Sequence, residues 1–367
     1  MLTTGNLYHG GIMVNYRCNA ACRHCLYACS PTRTSGYISR ETMAGICATL
    51  RRGSIGSVHI GGGEPFLDFE GLVTAIAELK QAGIDLDYVE TNAFWVQDVC
   101  LAREYVRTLK DLGAGALCIS LDPYHTEYVP YGLPLRLAQL CDTAGLDYFL
   151  WKQQFLRPLL GLESSSVHSR EELEKHLRPD YISATAGDYG LRIGGRAVNI
   201  EEEYGPSWPL AKLLHKAPPC PDLLSTGHFH VDLEGCFIPP GCTGLRLPLA
   251  EAVDGIPPGK YPLFEALYEG GVAALLDLAA GRGFVPEESY PSRCNLCFHI
   301  RAFLSGEDPS GENLSGKDPS GENLSGKDPS GKNLEEGKGF AELDENHYAE
   351  SLKYYSRRDC ENHHCDS

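Results

Sequence analysis

The sequence predicts an α/β protein built on a parallel sheet, followed by a small cysteine-rich module. Three observations carry this. Short apolar strands alternate with amphipathic helices from residue 12 to about residue 199. Each early helical stripe ends at a glycine: Gly53, Gly83 or Gly113. Near residue 206 the texture changes to segments rich in Pro, Gly and Cys, such as "KAPPCP" and "FIPPGC".

The elements follow in order. "GIMVNY" reads as the first strand, and Met43, Ile46, Cys47 and Leu50 mark one face of the helix after it. "SVHI" is the second strand, followed by a helix carrying Phe69, Leu72, Val73, Ile76 and Leu79. "LDYVET" is the third, and its helix shows Ala102, Tyr105, Val106, Leu109 and Leu112. "ALCISL" is the fourth, with Leu137, Leu140, Cys141 and Ala144 on the next helix. "DYFLW" is the fifth strand, Ser169 and Glu172 form a capping box, and "LRIGG" reads as a sixth strand. Six such units fit an open doubly wound sheet or an incomplete barrel, and either places chemistry at the C-terminal ends of the strands. "HVDLEGCFIPP" predicts a β-hairpin, and helical patterns fall near 263–268 and 272–280. From residue 308 a ten-residue unit, "DPSGENLSGK", repeats with one Leu per copy, too little to build a core. The expected organisation is therefore 1–205 core, 206–304 second module, 305–337 disordered repeat and 338–367 tail.

Composition narrows the function classes. Apolar content of 43% and charged content of 22% are those of an ordinary globular chain. A formal net charge of −17 argues against a nucleic-acid partner, whose affinity would come from Lys and Arg on phosphates. Neither a signal peptide nor a membrane-spanning apolar run is evident, so a cytoplasmic setting and no membrane partner are expected. In a reducing compartment, fifteen cysteines in clusters point to metal ligation or catalysis before disulfides.

Cys18, Cys22 and Cys25 follow the first strand with the spacing C-x3-C-x2-C. A [4Fe–4S] cluster usually takes four thiolates, and three would leave one iron open. Zinc, with His24 or Cys29 as a fourth ligand, is the bland reading. "GGGEP" follows strand two, "ETNA" strand three, "SLD" strand four and "GGRA" the expected strand six. In this order the motifs resemble those of the radical S-adenosylmethionine (radical SAM) enzymes, over residues 10–200. His24 stands where that family usually has an aromatic residue.

The resemblance implies a partial (β/α)6 TIM-like barrel of the radical SAM type. It implies a [4Fe–4S] cluster on Cys18, Cys22 and Cys25, with SAM chelating the open iron. It further implies SAM contacts from Gly62, Gly63, Glu64 and Pro65, and from Asn92, Ser120, Asp122 and Arg196. Glu64 also reads as an ordinary helix-start carboxylate, and the last four as caps, turns or salt bridges.

Cys220, Cys242 and the pair Cys294 and Cys297 resemble the auxiliary-cluster domains called SPASM, or twitch in the shorter form, which fits better here. That implies a second iron–sulfur cluster, with Cys236 as the alternate to Cys242 and zinc as the competing metal. Cys29 lies outside the spacing and is unexplained. Cys47, Cys118 and Cys141 read as buried small hydrophobes, and the tail Cys360, His363, His364 and Cys365 offers metal donors.

The activity implied is reductive cleavage of SAM, fed by an electron donor such as flavodoxin or ferredoxin, and hydrogen abstraction from a peptide or protein. The alternatives are a small-molecule radical SAM dehydrogenase, or a non-catalytic iron–sulfur or zinc protein.

Overall fold

The structure, a computed structural model, describes residue 2, residues 7–224 and residues 227–305. The repeat and the tail with Cys360, His363, His364 and Cys365 lie outside the described residues.

Five strands come from the first half: β1 (His9–Met13), β2 (Ser57–Gly61), β3 (Asp85–Thr91), β4 (Ala116–Ser120) and β5 (Asp147–Trp151). Helices α1 (Arg40–Arg52), α2 (Phe69–Ala82), α3 (Val99–Leu112) and α4 (Gly132–Ala144) connect them. Local chemistry sets the helix starts. Ser39, Asp68 and Asp98 each accept a hydrogen bond from a first-turn N–H, so donors without helical partners are satisfied. The capping box at Ser169 opens α5 (Arg170–His176), followed by α6 (Tyr181–Tyr189) and α7 (Ala197–Tyr204).

The second half supplies β6 (His228–Val231), β7 (Cys236–Ile238) and β8 (Leu247–Pro248). The expected hairpin is β6–β7, joined antiparallel with His230 opposite Ile238. It continues the main sheet, because β6 pairs parallel with β1, His9 opposite His228. The sheet order is β5-β4-β3-β2-β1-β6-β7-β8, and its first six strands run parallel. This is an α/β fold of the partial-barrel type. Helix α8 (Pro262–Ala280) breaks at Gly271, which separates the two expected helical patterns, and α9 (Arg293–Ser305) carries the C-x2-C pair.

One expected element is absent. "LRIGG" forms no strand; it bends and leads into α7. Gly195 has φ 50°, and a Cβ there would lie 2.4 Å from the Leu26 carbonyl oxygen. The segment spends its backbone on the first cysteine loop, Arg196 N–H donating to Cys25 O at 3.1 Å, instead of pairing with β5. The sixth parallel strand comes from β6, on the far side of β1 from β5.

Alternation gives the sheet two unlike faces. Ile12, Val58, Ile60, Leu117, Ile119, Phe229 and Val231 are fully buried in the main core, against the helices. The other face carries His9, His59, Tyr88, Cys118, Phe149, Trp151, His228 and His230, with Phe149 38% and Trp151 43% exposed. A second apolar cluster, including Cys18, Cys22, Cys29, Leu121, Tyr124, Leu159 and Tyr181, surrounds the first cysteine loop.

The loop after β2 is packed directly on the chain leaving β1. A Cβ on Gly63 would lie 2.0 Å from the Arg17 backbone oxygen, one residue before Cys18. Gly63→Ala is expected to lower stability by at least about 1–3 kcal/mol. Gly56→Ala, with nothing within 4 Å of its Cβ, is expected to stay within about 0.5 kcal/mol of the parent. Urea unfolding midpoints check both.

Candidate active site and metal centres

The first cysteine loop leaves the C-terminal end of β1 and is pinned at its base, Cys18 N–H donating to Ser30 O at 3.1 Å. Turns at Cys22–Cys25 and Cys25–Ala28 coil the loop between these points. Cys18 and Cys22 are buried and Cys25 is half-buried. Their thiols sense one another. Burial pushes the Cys18 thiol well up, and the nearby Cys22 and Glu64 push it further. Cys25 is pulled down to about 5, first by the hydrogen bond from Cys29, against burial and with help from the Arg196 charge. Cys29, left over in the sequence, lies beside Cys25 and also donates its N–H to Cys25 Sγ at 3.4 Å. Thiolates this close and this buried repel unless cationic charge sits among them, so the donor set suits a metal cluster.

The glycine-rich loop is locked behind these thiols. Asn15 accepts from Gly63 N–H at 2.9 Å and donates to Glu64 O at 2.9 Å, while Glu64 N–H reaches Arg17 O at 3.0 Å. The Glu64 side chain is fully buried and accepts from Phe66 N–H at 3.1 Å, Thr91 Oγ1 at 2.9 Å and Asn92 N–H at 2.8 Å. Burial raises its pKa to about 7 against the pull of these bonds. A carboxylate has about four acceptor sites, so one stays open for a ligand. Pro65 opens the short 3-10 turn that Glu64 caps, and Gly62, two residues before Glu64, has φ 155°.

Asn92 follows β3 and points at the cysteines: its Nδ2 donates to Asn19 Oδ1 at 2.8 Å and lies 3.7 Å from Cys18 Sγ. Ser120 ends β4, opposite Trp151 in the register. Asp122 is fully buried and occupied by His125, accepting its backbone N–H at 3.0 Å and its Nδ1 at 2.7 Å. Its carboxyl is held down at about 2, against burial, by the His125 charge. Arg196 caps the cysteine loop from outside: Nε donates to Cys22 O at 2.9 Å and the guanidinium to Cys29 O at 2.6 Å.

The second cysteine set assembles from three segments. Cys220 is anchored by its N–H on Leu267 O of α8 at 2.9 Å, Cys242 follows β7, and Cys294 and Cys297 sit on the first turns of α9. Burial pushes Cys242 up to about 12; Arg301 opposes this, and Cys297, Cys220 and Cys294 add to it. The neighbours of Cys236 are different. It is buried within β7, and after burial Asp232 and Arg246 act on its thiol.

Arg301 is itself buried and is kept charged by Cys242 and Cys297 against its own burial; it donates to Thr243 O. Its Nε has no hydrogen-bond partner among the described residues. Four thiols, a buried cation and an orphaned donor suit a bound anionic cluster. Ligands of one tetrahedral zinc would stand about 3.8 Å apart, from Zn–S bonds of about 2.3 Å. Among the described residues neither thiol set brings three donors within 4.8 Å of one another. Between the two cysteine regions lies a cavity of about 520 Å³, lined by Tyr16, Tyr27, Arg33, Asp232, Thr243 and Arg246.

Three partners in these sites were not read from the sequence. Arg301 stands one helical turn after Cys297 and was legible by that spacing. His125 stands three residues after Asp122 in "DPYH", behind strand four. The Cys29–Cys25 contact needs the coiled loop and had no sequence signal.

Residues 12–137 match the family model described as Radical SAM superfamily. The YydG protein of Bacillus subtilis (strain 168), named for peptide biosynthesis, is 29% identical over 125 residues, which is 34% of this chain. The chain spans 39% of that relative's length in the match. Among solved structures, Streptococcus suis SuiB aligns with TM-score 0.39 and 11% identity, over 72% of this chain and 66% of that one. BtrN in complex with AdoMet and 2-DOIA aligns with TM-score 0.40 and 13% identity, over 73% and 89%. The three-thiol loop behind β1 and the glycine-rich loop behind β2 both lie inside the stretch that matches the radical SAM superfamily model.

Proposed function

We propose that this protein cleaves S-adenosylmethionine reductively and modifies a peptide or protein by hydrogen-atom abstraction. The observation that carries it is the buried loop of Cys18, Cys22 and Cys25 at the end of β1, with the Gly62–Glu64 turn clamped behind it. When bound, a [4Fe–4S] cluster with SAM on its open iron supplies one-electron cleavage and a 5′-deoxyadenosyl radical. The chain's own residues hold and shield this chemistry. Cys18, Cys22 and Cys25 are the proposed ligands. Gly62, Gly63, Glu64 and Pro65 present backbone and one free carboxylate site toward the SAM amino group. Asn92, Ser120 and Asp122 stand at the ends of the next two strands, where the rest of SAM would lie. The apolar cluster around the loop excludes water.

Arg196 acts on the loop through Cys22 O and Cys29 O, so it is assigned a positioning role. Cys220, Cys242, Cys294 and Cys297 are the proposed ligands of an auxiliary iron–sulfur cluster in the module 206–304, with Arg301 offsetting its charge. A peptide substrate is supported by the name of the Bacillus subtilis relative and by the partly open aromatic face at Phe149 and Trp151. Flavodoxin or ferredoxin is the proposed class of electron donor.

Anaerobically reconstituted protein with dithionite and SAM is expected to release 5′-deoxyadenosine, and Cys22→Ala to release none. Absence of cleavage by wild type carrying a full load of iron and sulfide overturns the proposal. Cys294→Ala is expected to lose about four irons per chain; loss of one zinc instead would reject the auxiliary cluster. Arg196→Gln removes charge-assisted bonds worth roughly 1.5–3 kcal/mol each. It is expected to lower iron retention in the first site during anaerobic gel filtration, with far-UV circular dichroism unchanged.

A further inference from the structure

The sheet face opposite the helices holds a group of histidines that neither cysteine site uses. His9 opens β1, His59 lies in β2, and His228 and His230 lie in β6. One ring nitrogen from each of His9, His59 and His228 lies within 4.8 Å of the others. His9 Nδ1 and His228 Nδ1 stand 3.1 Å apart. Two imidazole nitrogens on one tetrahedral zinc, with bonds of about 2.0–2.1 Å, stand about 3.3 Å apart.

Three further features point to a ligand. His59 is 1% exposed and its Nδ1 has no hydrogen-bond partner among the described residues, and the buried His230 Nδ1 likewise has none among them. The other nitrogen of His9, Nε2, faces Asp87 Oδ2 at 2.8 Å, while His59 Nε2 lies 3.8 Å from Glu90 Oε1. A carboxylate on the far nitrogen fixes the tautomer and raises the basicity of a metal-binding imidazole. Finally, the rings pack directly onto the strand backbone, which only glycine permits. Gly11 lies opposite His59 and His230 in the register, and a Cβ on it would lie 2.3 Å from His59 Nε2.

We propose that His9, His59 and His228 form a mononuclear site for a zinc-like divalent transition metal. Asp87 orients His9, and water would complete the coordination. An all-imidazole donor set suits zinc and its neighbours and disfavours magnesium or calcium. The site lies at the N-terminal end of β1, whereas the cysteine loop leaves its C-terminal end. It is therefore a separate centre on the same sheet, and it stands or falls independently of SAM cleavage.

The test uses Co2+ as the probe, added anaerobically to protein whose cysteine sites are already loaded with iron and sulfide. Wild type is expected to take up one Co2+ per chain, with visible d–d bands of nitrogen and oxygen ligation and no sulfur-to-cobalt charge-transfer band, and Zn2+ is expected to displace it. His228→Gln, at an exposed position, and Asp87→Asn are each expected to weaken Co2+ binding about 10–100-fold. Iron content and the thermal melting curve should be unchanged. Equal Co2+ binding by wild type and both variants, or no uptake by wild type, overturns the proposal and leaves the rings as a plain imidazole stack. Sulfur charge transfer in the Co2+ spectrum overturns it as well.

Discussion

The buried carboxylate of Glu64 is the constraint on which the active end of this protein depends. A group with no solvent exposure must be hydrogen-bonded, and its donors come from Phe66, Thr91 and Asn92. Its own backbone is tied to Arg17 and Asn15. One residue thus joins the loops that follow β1, β2 and β3. The chain continues: Trp95 Nε1 donates to Thr91 Oγ1, which donates to Glu64. A buried network in which every member is hydrogen-bonded holds one geometry, because the alternatives strand polar groups in the interior. The spacing of strand ends, set by the sheet, is thereby passed to the cysteine loop.

Charge placement answers the same demand at both cysteine sets. The chain is strongly acidic, yet each set has a dedicated arginine. Arg196 binds backbone carbonyls of the first loop and lowers the Cys25 thiol, and Arg301 is buried against Cys242 and Cys297. Buried thiolates are costly, and a fixed guanidinium offsets part of that cost before any metal arrives. The two sets are also mechanically joined. β6 pairs with β1, so the hairpin that precedes Cys242 and the strand that launches Cys18 belong to one hydrogen-bonded ladder. Separate modules along the sequence therefore share a sheet in space.

What could be read from the sequence was local. The spacing of Cys18, Cys22 and Cys25 was legible because a loop of eight residues carries all three thiols. The helices were legible because their apolar stripes and caps repeat within a few turns, and "GGGEP" because glycine next to a buried acid is chemically unusual. The expectation for "LRIGG" failed because apolar character said nothing of its partner. Its glycines allow a closer contact with the cysteine loop than a strand beside β5 would give.

Other features were decided only by the fold. The sequence left Cys236 and Cys242 as alternatives; the chain turn after β7 brings Cys242 to Cys220, Cys294 and Cys297 and leaves Cys236 in the strand. Histidines 9 and 228 are 219 residues apart and meet only because β1 and β6 pair in parallel. The sequence by itself determined that a set of thiol ligands sits on one short loop, since eight residues carry all three sulfurs. Sites whose donors come from separate strands depend on sheet order and register. Those are set by the burial of a whole face at once, and no single segment encodes them.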